Sequence, residues 1–121
     1  MPCRRTCKED EMPETTYTWS AQFREMIDEV LTSWPEVRAK QVFGHRGFVR
    51  NGKMFAFFAA SGFSVKSAGN DTDRLYALPG VEPFAYAGSE MRAWPVLPVH
   101  TKLEADAAIA EAFSAYEAVG N

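Results

Sequence analysis

Cysteine is scarce in this sequence of 121 residues. The two cysteines, Cys3 and Cys7, form a C-x3-C pair, which lacks the second pair of ligands that completes most zinc sites. His45 and His100 could in principle supply that second pair, but their spacing does not indicate a metal site. We therefore expect two free thiols, no metal and no other cofactor.

Long hydrophobic runs are also missing. No apolar segment approaches the ~20 residues of a membrane-spanning helix. The first residues, MPCRRTCKEDEMPE, are charged and contain no apolar segment of the kind that secretory signals require. The net charge of -3 argues against a general attraction of the whole chain to nucleic acid or membrane. We expect a soluble, cytoplasmic protein with no membrane partner.

Catalytic motifs are the third absence. The sequence contains no nucleophile elbow, P-loop or dinucleotide-binding fingerprint, and no cluster of metal ligands. Glu104, Asp106 and Glu111 are predicted helix-surface carboxylates without an evident partner base. Because a general acid or base is recognised by a positioned partner, we expect that this protein is not an enzyme.

The composition is that of one folded domain. Hydrophobic residues make up 46% of the chain, which is enough for a core without disulfides or metal. Residues 1–16 mix charges and prolines and show no periodic apolar pattern, which predicts a disordered tail. Residues 17–121 are predicted to form the domain.

A β-meander is predicted over residues 42–66, VFGHRGFVRNGKMFAFFAASGFSVK. Asn51-Gly52 is a strong signal for a two-residue type I′ hairpin. It separates a strand at Gly47–Arg50 from a strand at Lys53–Ala59, and a turn at Ser61-Gly62 leads into Phe63–Lys66. The middle strand is apolar on both faces, so we expect it to lie inside the sheet and to be covered on both sides.

Helices are predicted at both ends of the domain. Thr18 or Ser20 can cap a first helix, which Pro35 ends. Its apolar stripe consists of Phe23, Met26, Ile27, Val30, Leu31 and Trp34. The last helix begins with a capping box, Thr101 to Glu104, and ends at Gly120 as a C′ residue. Its predicted buried face consists of Ala105, Ala108, Ile109, Ala112, Phe113 and Tyr116.

The remaining segments complete an α+β domain. Val37–Phe43 is predicted as the first strand, and a turn at residues 44–47 should leave His45 exposed. Asn70 or Asp71 caps a short helix through about Leu78. After an extended segment, Val81–Tyr86, and a loop at residues 87–90, a last strand follows at Ala93–Pro98. Pro95 should place that last strand at a sheet edge. We expect a single domain with a mainly antiparallel meander sheet packed by the N- and C-terminal helices.

Basic residues are concentrated in the predicted sheet. Residues 37–70 contain no acidic residue. The basic residues there are Arg38, Lys40, Arg46, Arg50, Lys53 and Lys66. They are candidates for binding an anion or nucleic acid, and the alternative is a solvated sheet edge whose charges deter strand pairing. Arg50 should stand opposite Lys53, with Arg46 on the same face. If this face is merely solvated, Arg50→Thr should raise stability slightly by relieving the repulsion.

Several segments resemble the TfoX N-terminal domain family, which belongs to a wider group with the YjbR-like proteins. They are VFGHRGFVRNGKMFAFFAASGFSVK, Asp73-Arg74, Glu82–Tyr86, Met91 and Leu97-Pro98, and the resemblance covers roughly residues 20–119. It implies an α+β domain found mostly in bacteria, in a family without established catalytic residues. Its founding member is linked to regulation of natural competence, and YjbR-like relatives are often called DNA-binding because of their fold. We do not expect the competence role to carry over, because the sequence ends at Asn121, before the helical second domain of the founding member.

The sequence therefore predicts a small non-catalytic regulatory or binding domain whose target is a protein or a nucleic acid. The alternative is a module that binds an anion or a small molecule on its basic sheet face. A purely structural interaction module comes third. The identity of the partner and the oligomeric state stay open at this point.

Overall fold

The computed structural model describes residues 17–42, 44–67 and 70–120. In chain order the elements are helix α1 (Ala21–Thr32), strands β1 (Val37–Val42), β2 (His45–Arg50), β3 (Lys53–Phe58) and β4 (Phe63–Val65), helix α2 (Asn70–Tyr76), strands β5 (Glu82–Tyr86) and β6 (Ser89–Leu97), and helix α3 (Lys102–Val119). The predicted tail, with both cysteines, lies outside the described residues. No helix in the described ranges is long and apolar enough to cross a bilayer.

The strands form one six-stranded antiparallel sheet in the order β1-β2-β3-β4-β6-β5. This confirms the predicted α+β class and the meander of the first four strands. Strand β2 begins at His45, two residues before the predicted start, so His45 and Arg46 belong to a strand and not to a turn. Strand β6 likewise begins at Ser89, which replaces half of the loop predicted at residues 87–90.

Two hairpins use the same turn geometry. Asn51 and Gly52 have φ angles of 52° and 83°, the left-handed values that a type I′ turn requires at both central positions. Ala87 and Gly88 repeat this geometry between β5 and β6, with φ angles of 53° and 84°. The first hairpin was predicted from its Asn-Gly pair, whereas the second has an alanine where asparagine or glycine is preferred.

The placement of Pro95 corrects the prediction of an edge strand. Strand β6 lies between β4 and β5, and the outer strand is β5. On one side, pairing between β4 and β6 ends at Val96, so Pro95 lies beyond that ladder. On the other side, Pro95 stands opposite Pro83, where neither residue has an N–H to donate. An inner strand therefore accommodates the proline without losing a ladder hydrogen bond to either neighbour at that position.

Helices α1 and α3 pack on one face of the sheet. The buried cluster on this face combines Ile27 and Leu31 of α1, the alanines and Tyr116 of α3, and strand residues such as Phe48. The Tyr116 hydroxyl donates a 2.9 Å hydrogen bond to the carbonyl of Pro35, just after α1. The predicted stripe of α1 is confirmed. Phe113 is 42% exposed, so its assignment to the buried face of α3 was wrong.

A β-bulge in β3 distributes its aromatic residues between the two faces. Phe48 pairs with Ala56 and Val49 pairs with Met54, which leaves Phe55 as an extra residue on β3. Phe55 and Ala56 consequently belong to the cluster beneath the helices, whereas Phe57 belongs to a second cluster on the opposite face. The prediction that β3 is covered on both sides is confirmed, since its residues from Phe55 to Phe58 are buried.

The caps of the terminal helices agree largely with the prediction. The Ser20 hydroxyl accepts a hydrogen bond from the N–H of Gln22, and the Thr101 hydroxyl accepts one from Glu104. The Glu104 carboxylate accepts from the N–H of His100, one residue before the predicted partner. Helix α3 ends as predicted at Gly120, which is its C-cap residue, one position before C′, and has a φ of −85°. A Cβ at this position would overlap the guanidinium of Arg50, so a larger residue there would require the Arg50 side chain to move.

Candidate functional site

The face of the sheet opposite α1 and α3 has its own apolar cluster. Among the described residues, this cluster takes all its members from strands and from the turn after β3. They are Met54, Phe57, Ala59, Phe84, Met91, Trp94 and Val96. We call this surface the open face, because the buried cluster that includes the helices lies on the other side.

A row of paired residues crosses the open face from one edge of the sheet to the other. The Cα pairing joins, in order, Lys40, Gly47, Phe57, Ser64, Val96 and Glu82. Directly paired residues of antiparallel strands point to the same face. Lys40 therefore lies on the open face at the β1 edge, and Glu82 lies at the β5 edge. The neighbouring row begins with Arg38, which pairs through Val49 with Met54.

Phe57 is the centre of the open face. It is 1% exposed, and its ring centroid lies 4.8 Å from that of Phe84 and 5.3 Å from that of Trp94. Gly47 stands beside it on β2, where a Cβ would lie 3.0 Å from the sulfur of Met54 and 3.4 Å from the Phe57 Cβ. The missing side chain lets Phe57 and Met54 lie against the backbone of β2.

His45 belongs to this aromatic cluster and is partly buried, so the predicted exposure was wrong. Its ring centroid lies 5.8 Å from that of Phe57 and 5.6 Å from that of Phe84. Burial lowers the pKa of His45 below its usual value, and this outweighs the opposing effect of a hydrogen bond with the backbone of Phe58. His45 is therefore neutral at pH 7 and adds no charge to the open face.

Arg46 and Arg50, two of the candidate site residues, lie on the helix side of the sheet. Arg46 forms a two-pronged ion pair with Asp28 of α1 through Nε and Nη2. The Nε of Arg50 donates to Glu36 at 3.1 Å, and its Nη1 donates to the carbonyl of Tyr116 at 3.0 Å. The chain's own acidic residues thus neutralise both arginines.

Arg38, Lys40 and Lys66 lie on the open face, and all three side chains are exposed. The backbone N–H of Lys66 donates to Phe55, which extends the β3–β4 ladder by one residue. Its Nζ lies 5.7 Å from the ring centroid of Trp94. In the part of the chain that the structure describes, none of these three residues forms an ion pair.

Lys53, the sixth candidate, pairs with Arg50 at the Asn51-Gly52 hairpin, as predicted. It is exposed on the helix side of the sheet. The structure therefore does not bring the six candidate residues together. It places three of them on the open face and three on the opposite side.

A cavity of about 480 Å³ opens at one end of the open face. It lies between the turn after β3 and strand β5, and its walls include His45, Phe84, Tyr86 and Val96. Tyr86 is 48% exposed at its mouth. The walls are mostly apolar, and their polar residues are His45, Ser61, Glu82 and Tyr86, which suits a small planar ligand.

Sequence reasoning missed the aromatic part of the site. The sequence predicts only an edge strand around Trp94 and an extended segment around Phe84. The sequence signal that could have found part of the aromatic site is the alternation of Phe84 and Tyr86, whereas Met91 and Trp94 are three residues apart, so strict alternation would place them on opposite faces. That signal was weakened because the β5–β6 register shifts between Pro83 and Phe84.

Comparison with known proteins gives one result. The family model of the TfoX N-terminal domain matches residues 29–117, which include every strand of the sheet, most of α3 and the last turn of α1. No curated protein and no solved structure matches the chain. On the strength of the family match, this protein belongs to the TfoX N-terminal domain family.

Proposed function

We propose that this protein is a small non-catalytic domain that acts in regulation by binding a polyanion, either a nucleic acid or the acidic surface of a protein, on its open face. The observation that carries this proposal is the position of Arg38, Lys40 and Lys66. These exposed cations share the open face and have no ion-pair partner among the described residues, whereas Arg46 and Arg50 on the other side are neutralised.

The distribution of charge supports an anionic target. The segment 37–70 contains six basic residues and no acidic residue, while the remainder of the chain has 7 basic and 16 acidic residues. Acidic side chains such as Asp28 and Glu111 lie on the helices, on the side away from the open face. Glu82 lies at the β5 edge, opposite the edge that carries Arg38 and Lys40. A protein with this asymmetry attracts an anion to one surface although its net charge is negative.

The non-catalytic part of the proposal is supported by the partners of the carboxylates. Glu111 binds Arg74 through both oxygens at 2.9 Å, and Asp106 pairs with Lys102 at 3.1 Å. Glu104 accepts the N–H of His100 as a helix cap. These groups stabilise the fold, so a role in acid–base chemistry has no support from their geometry. A bacterial, cytoplasmic setting, as the sequence predicts, fits such a domain.

A second candidate function is the binding of a small molecule, and the cavity beside His45 favours it. Its volume of about 480 Å³ is within the range of ligand pockets. The partly buried imidazole and the Tyr86 hydroxyl would orient a polar group there. This candidate predicts that a screen of small aromatic and anionic compounds finds one that raises the melting temperature of the wild type but not that of Phe84→Ala.

The polyanion proposal is tested by measuring heparin affinity at ~0.05 M and ~0.2 M salt. Counterion release predicts weaker binding at higher salt, with a slope of about 2–3 in the logarithmic plot for three cations. Lys40→Glu should weaken binding strongly. Lys53→Glu, which makes the same charge change on the helix side, should have little effect.

Two results would contradict the proposal. If wild-type protein does not bind heparin at low salt, the open face is not a polyanion site. If Lys53→Glu weakens binding as much as Lys40→Glu does, the attraction comes from the charge of the molecule as a whole and not from the open face.

A further inference from the structure

We infer that the polyanion is a single strand of nucleic acid, with one base stacked on Trp94 and its phosphates bound by Arg38, Lys40 and Lys66. This inference rests on the proposed function, because it names the occupant of the same face. It adds a role for the aromatic and methionine side chains, which charge alone does not explain.

Trp94 has the surroundings of a stacking platform. Its ring packs against that of Phe57 at 5.3 Å and is only partly buried. A platform held by a buried neighbour is already ordered before the base arrives, which favours stacking. The ammonium of Lys66 lies 5.7 Å from the centroid of the Trp94 ring. Its flexible stem allows it to move to a neighbouring phosphate when a base takes its place against the ring.

The cations flank an apolar centre. Arg38 and Lys40 are two residues apart on the edge strand β1, so their Cα atoms are separated by about 6.6 Å along that edge. Lys66 follows β4, three strands away, or about 14 Å across the sheet. Met54 lies between them, in the row of Arg38, with its thioether on the open face. This arrangement places two cations at the β1 edge and the third beside Trp94 inside the sheet, so a strand laid across the open face meets apolar side chains between its phosphate contacts.

A nucleic-acid duplex would make little contact between its base faces and the aromatic and methionine side chains of the open face. The faces of its bases are stacked inside the helix, so Trp94 and Met54 would meet only sugars and base edges. Three cations would then supply nearly all the affinity, because phosphate contacts dominate nonspecific duplex binding. An acidic protein surface would pair with the cations but would offer Trp94 no planar base.

The test compares four probes with the whole protein at ~0.05 M salt. The probes are a fluorescein-labelled 15-mer of thymidine, the matching uridine 15-mer, a 15-base-pair DNA duplex and heparin. We expect one or both single strands to bind at least fivefold more tightly than the duplex and to quench tryptophan fluorescence, since a stacked base quenches the indole that it covers. The DNA and RNA arms show which sugar is preferred.

Trp94→Leu and Trp94→Phe distinguish stacking from charge. If a base stacks on Trp94, Trp94→Leu should weaken single-strand binding by about tenfold or more relative to its effect on heparin binding. Trp94→Phe should keep most of the affinity and lose most of the quenching. The melting temperature of each variant is measured first, and the wild-type quenching tests the inference even if Trp94→Leu does not fold.

The possible failures can be told apart. One failure is that single strands and duplex bind with equal affinity, that no tryptophan quenching occurs, and that Trp94→Leu weakens single-strand binding only as much as it weakens heparin binding. This result overturns the inference, while the proposed polyanion function stands. Binding of heparin with no binding of either single strand also overturns it. If none of the probes binds, both the inference and the proposed function are wrong.

Discussion

The guanidinium of Arg50 lies 4.1 Å from the ring centroid of Tyr116 and donates a 3.0 Å hydrogen bond to the backbone carbonyl of the same residue. Arg50 ends strand β2, and Tyr116 lies in the last turns of α3. The Arg50 side chain therefore links the end of strand β2 to the last turns of α3. Its Nε also donates a hydrogen bond to the carboxylate of Glu36.

The first prediction concerns this link. Arg50→Thr removes a cation–π contact, a charge-assisted hydrogen bond and an ion pair, so it should lower the free energy of unfolding by about 2 kcal/mol. For a face that is merely solvated, the sequence alone predicted the opposite sign, because relief of the repulsion from Lys53 was the only effect considered. Urea unfolding measures the change. Arg38→Thr is the control, and it should stay within about 0.5 kcal/mol of wild type.

Gly120 offers an independent check on the position of Arg50. A Cβ at residue 120 would collide with the Arg50 guanidinium, although the φ angle of Gly120 is allowed for any residue. Gly120→Ala should therefore destabilise the wild type by displacing Arg50, and it should cost much less in an Arg50→Thr background. Additive effects of the two changes would show that the residues do not interact.

A second prediction concerns the aromatic residues of the two clusters. Phe55→Ala and Phe57→Ala should each lower the free energy of unfolding by about 3–5 kcal/mol, since both rings are fully buried on opposite faces of β3. Phe113→Ala should cost much less, because Phe113 is 42% exposed beside Trp34 and Tyr116. Thermal or urea unfolding of the three variants decides the ranking. A loss at Phe113 equal to that at Phe55 would contradict it.

Local signals predicted a large part of this fold. The Asn51-Gly52 pair, the Thr101 cap and the apolar stripe of α1 act over a few residues, and each was found where the sequence placed it. The bulge at Phe55 could not be predicted in this way. It depends on which residues of β2 and β3 stand opposite each other, and packing beneath the helices decides that register.

The candidate site was harder to predict for the same reason. The partner of Arg46 is Asp28, 18 residues earlier on α1, and the partner of Arg50 is Glu36, 14 residues earlier. Alternation within a strand shows which basic residues share a face, but it does not show which face the helices cover. Arg38 and Lys40 could be separated from Arg46 only after the helices had been placed.

The third prediction concerns the two hairpin turns. Ala87 has a φ of 53°, in the left-handed region that disfavours alanine, and Gly88 follows it as in an Asn-Gly turn. Ala87→Asn should therefore raise the free energy of unfolding by about 0.5–1 kcal/mol. Asn51→Ala, the reverse change at the equivalent position of the other hairpin, should lower it by a similar amount. A loss of stability in Ala87→Asn would show that the turn geometry is not the controlling factor.

The fourth prediction is a dependence of stability on pH. Burial lowers the pKa of His45 in the folded protein below the value of 6.5 expected for the unfolded chain. As the pH falls through 6.5, the unfolded chain takes up the proton first, so the free energy of unfolding falls. The loss levels off once the pH is below the folded-state pKa. Above about pH 7.5, His45 has no such effect.

Urea unfolding between pH 8 and pH 5 measures this dependence. The His45→Gln variant should lose less stability over this range than the wild type does, because it lacks the group that the unfolded chain protonates. The His100→Gln variant removes the other histidine and should keep the wild-type loss. Equal losses in His45→Gln and wild type would contradict the assignment.

The last prediction compares two buried serines. Ser64 is 0% exposed in the row that crosses the open face, and its hydroxyl has no hydrogen-bond partner among the described residues. Ser67 is 6% exposed, but its hydroxyl lies 3.0 Å from that of Thr72 and donates to the carbonyl of Ala93 at 3.3 Å. A buried hydroxyl without a partner is destabilising, whereas a paired one contributes to stability.

The same substitution should therefore have opposite effects at the two positions. Ser64→Ala should raise the free energy of unfolding by about 0.5–1 kcal/mol, because alanine keeps the Cβ and removes only the unpaired group. Ser67→Ala should lower it by about 1 kcal/mol, since Thr72 and Ala93 lose a shared partner. Urea unfolding at pH 7 measures both changes. If Ser64→Ala is destabilising by as much as Ser67→Ala, the Ser64 hydroxyl has a hydrogen-bond partner in solution.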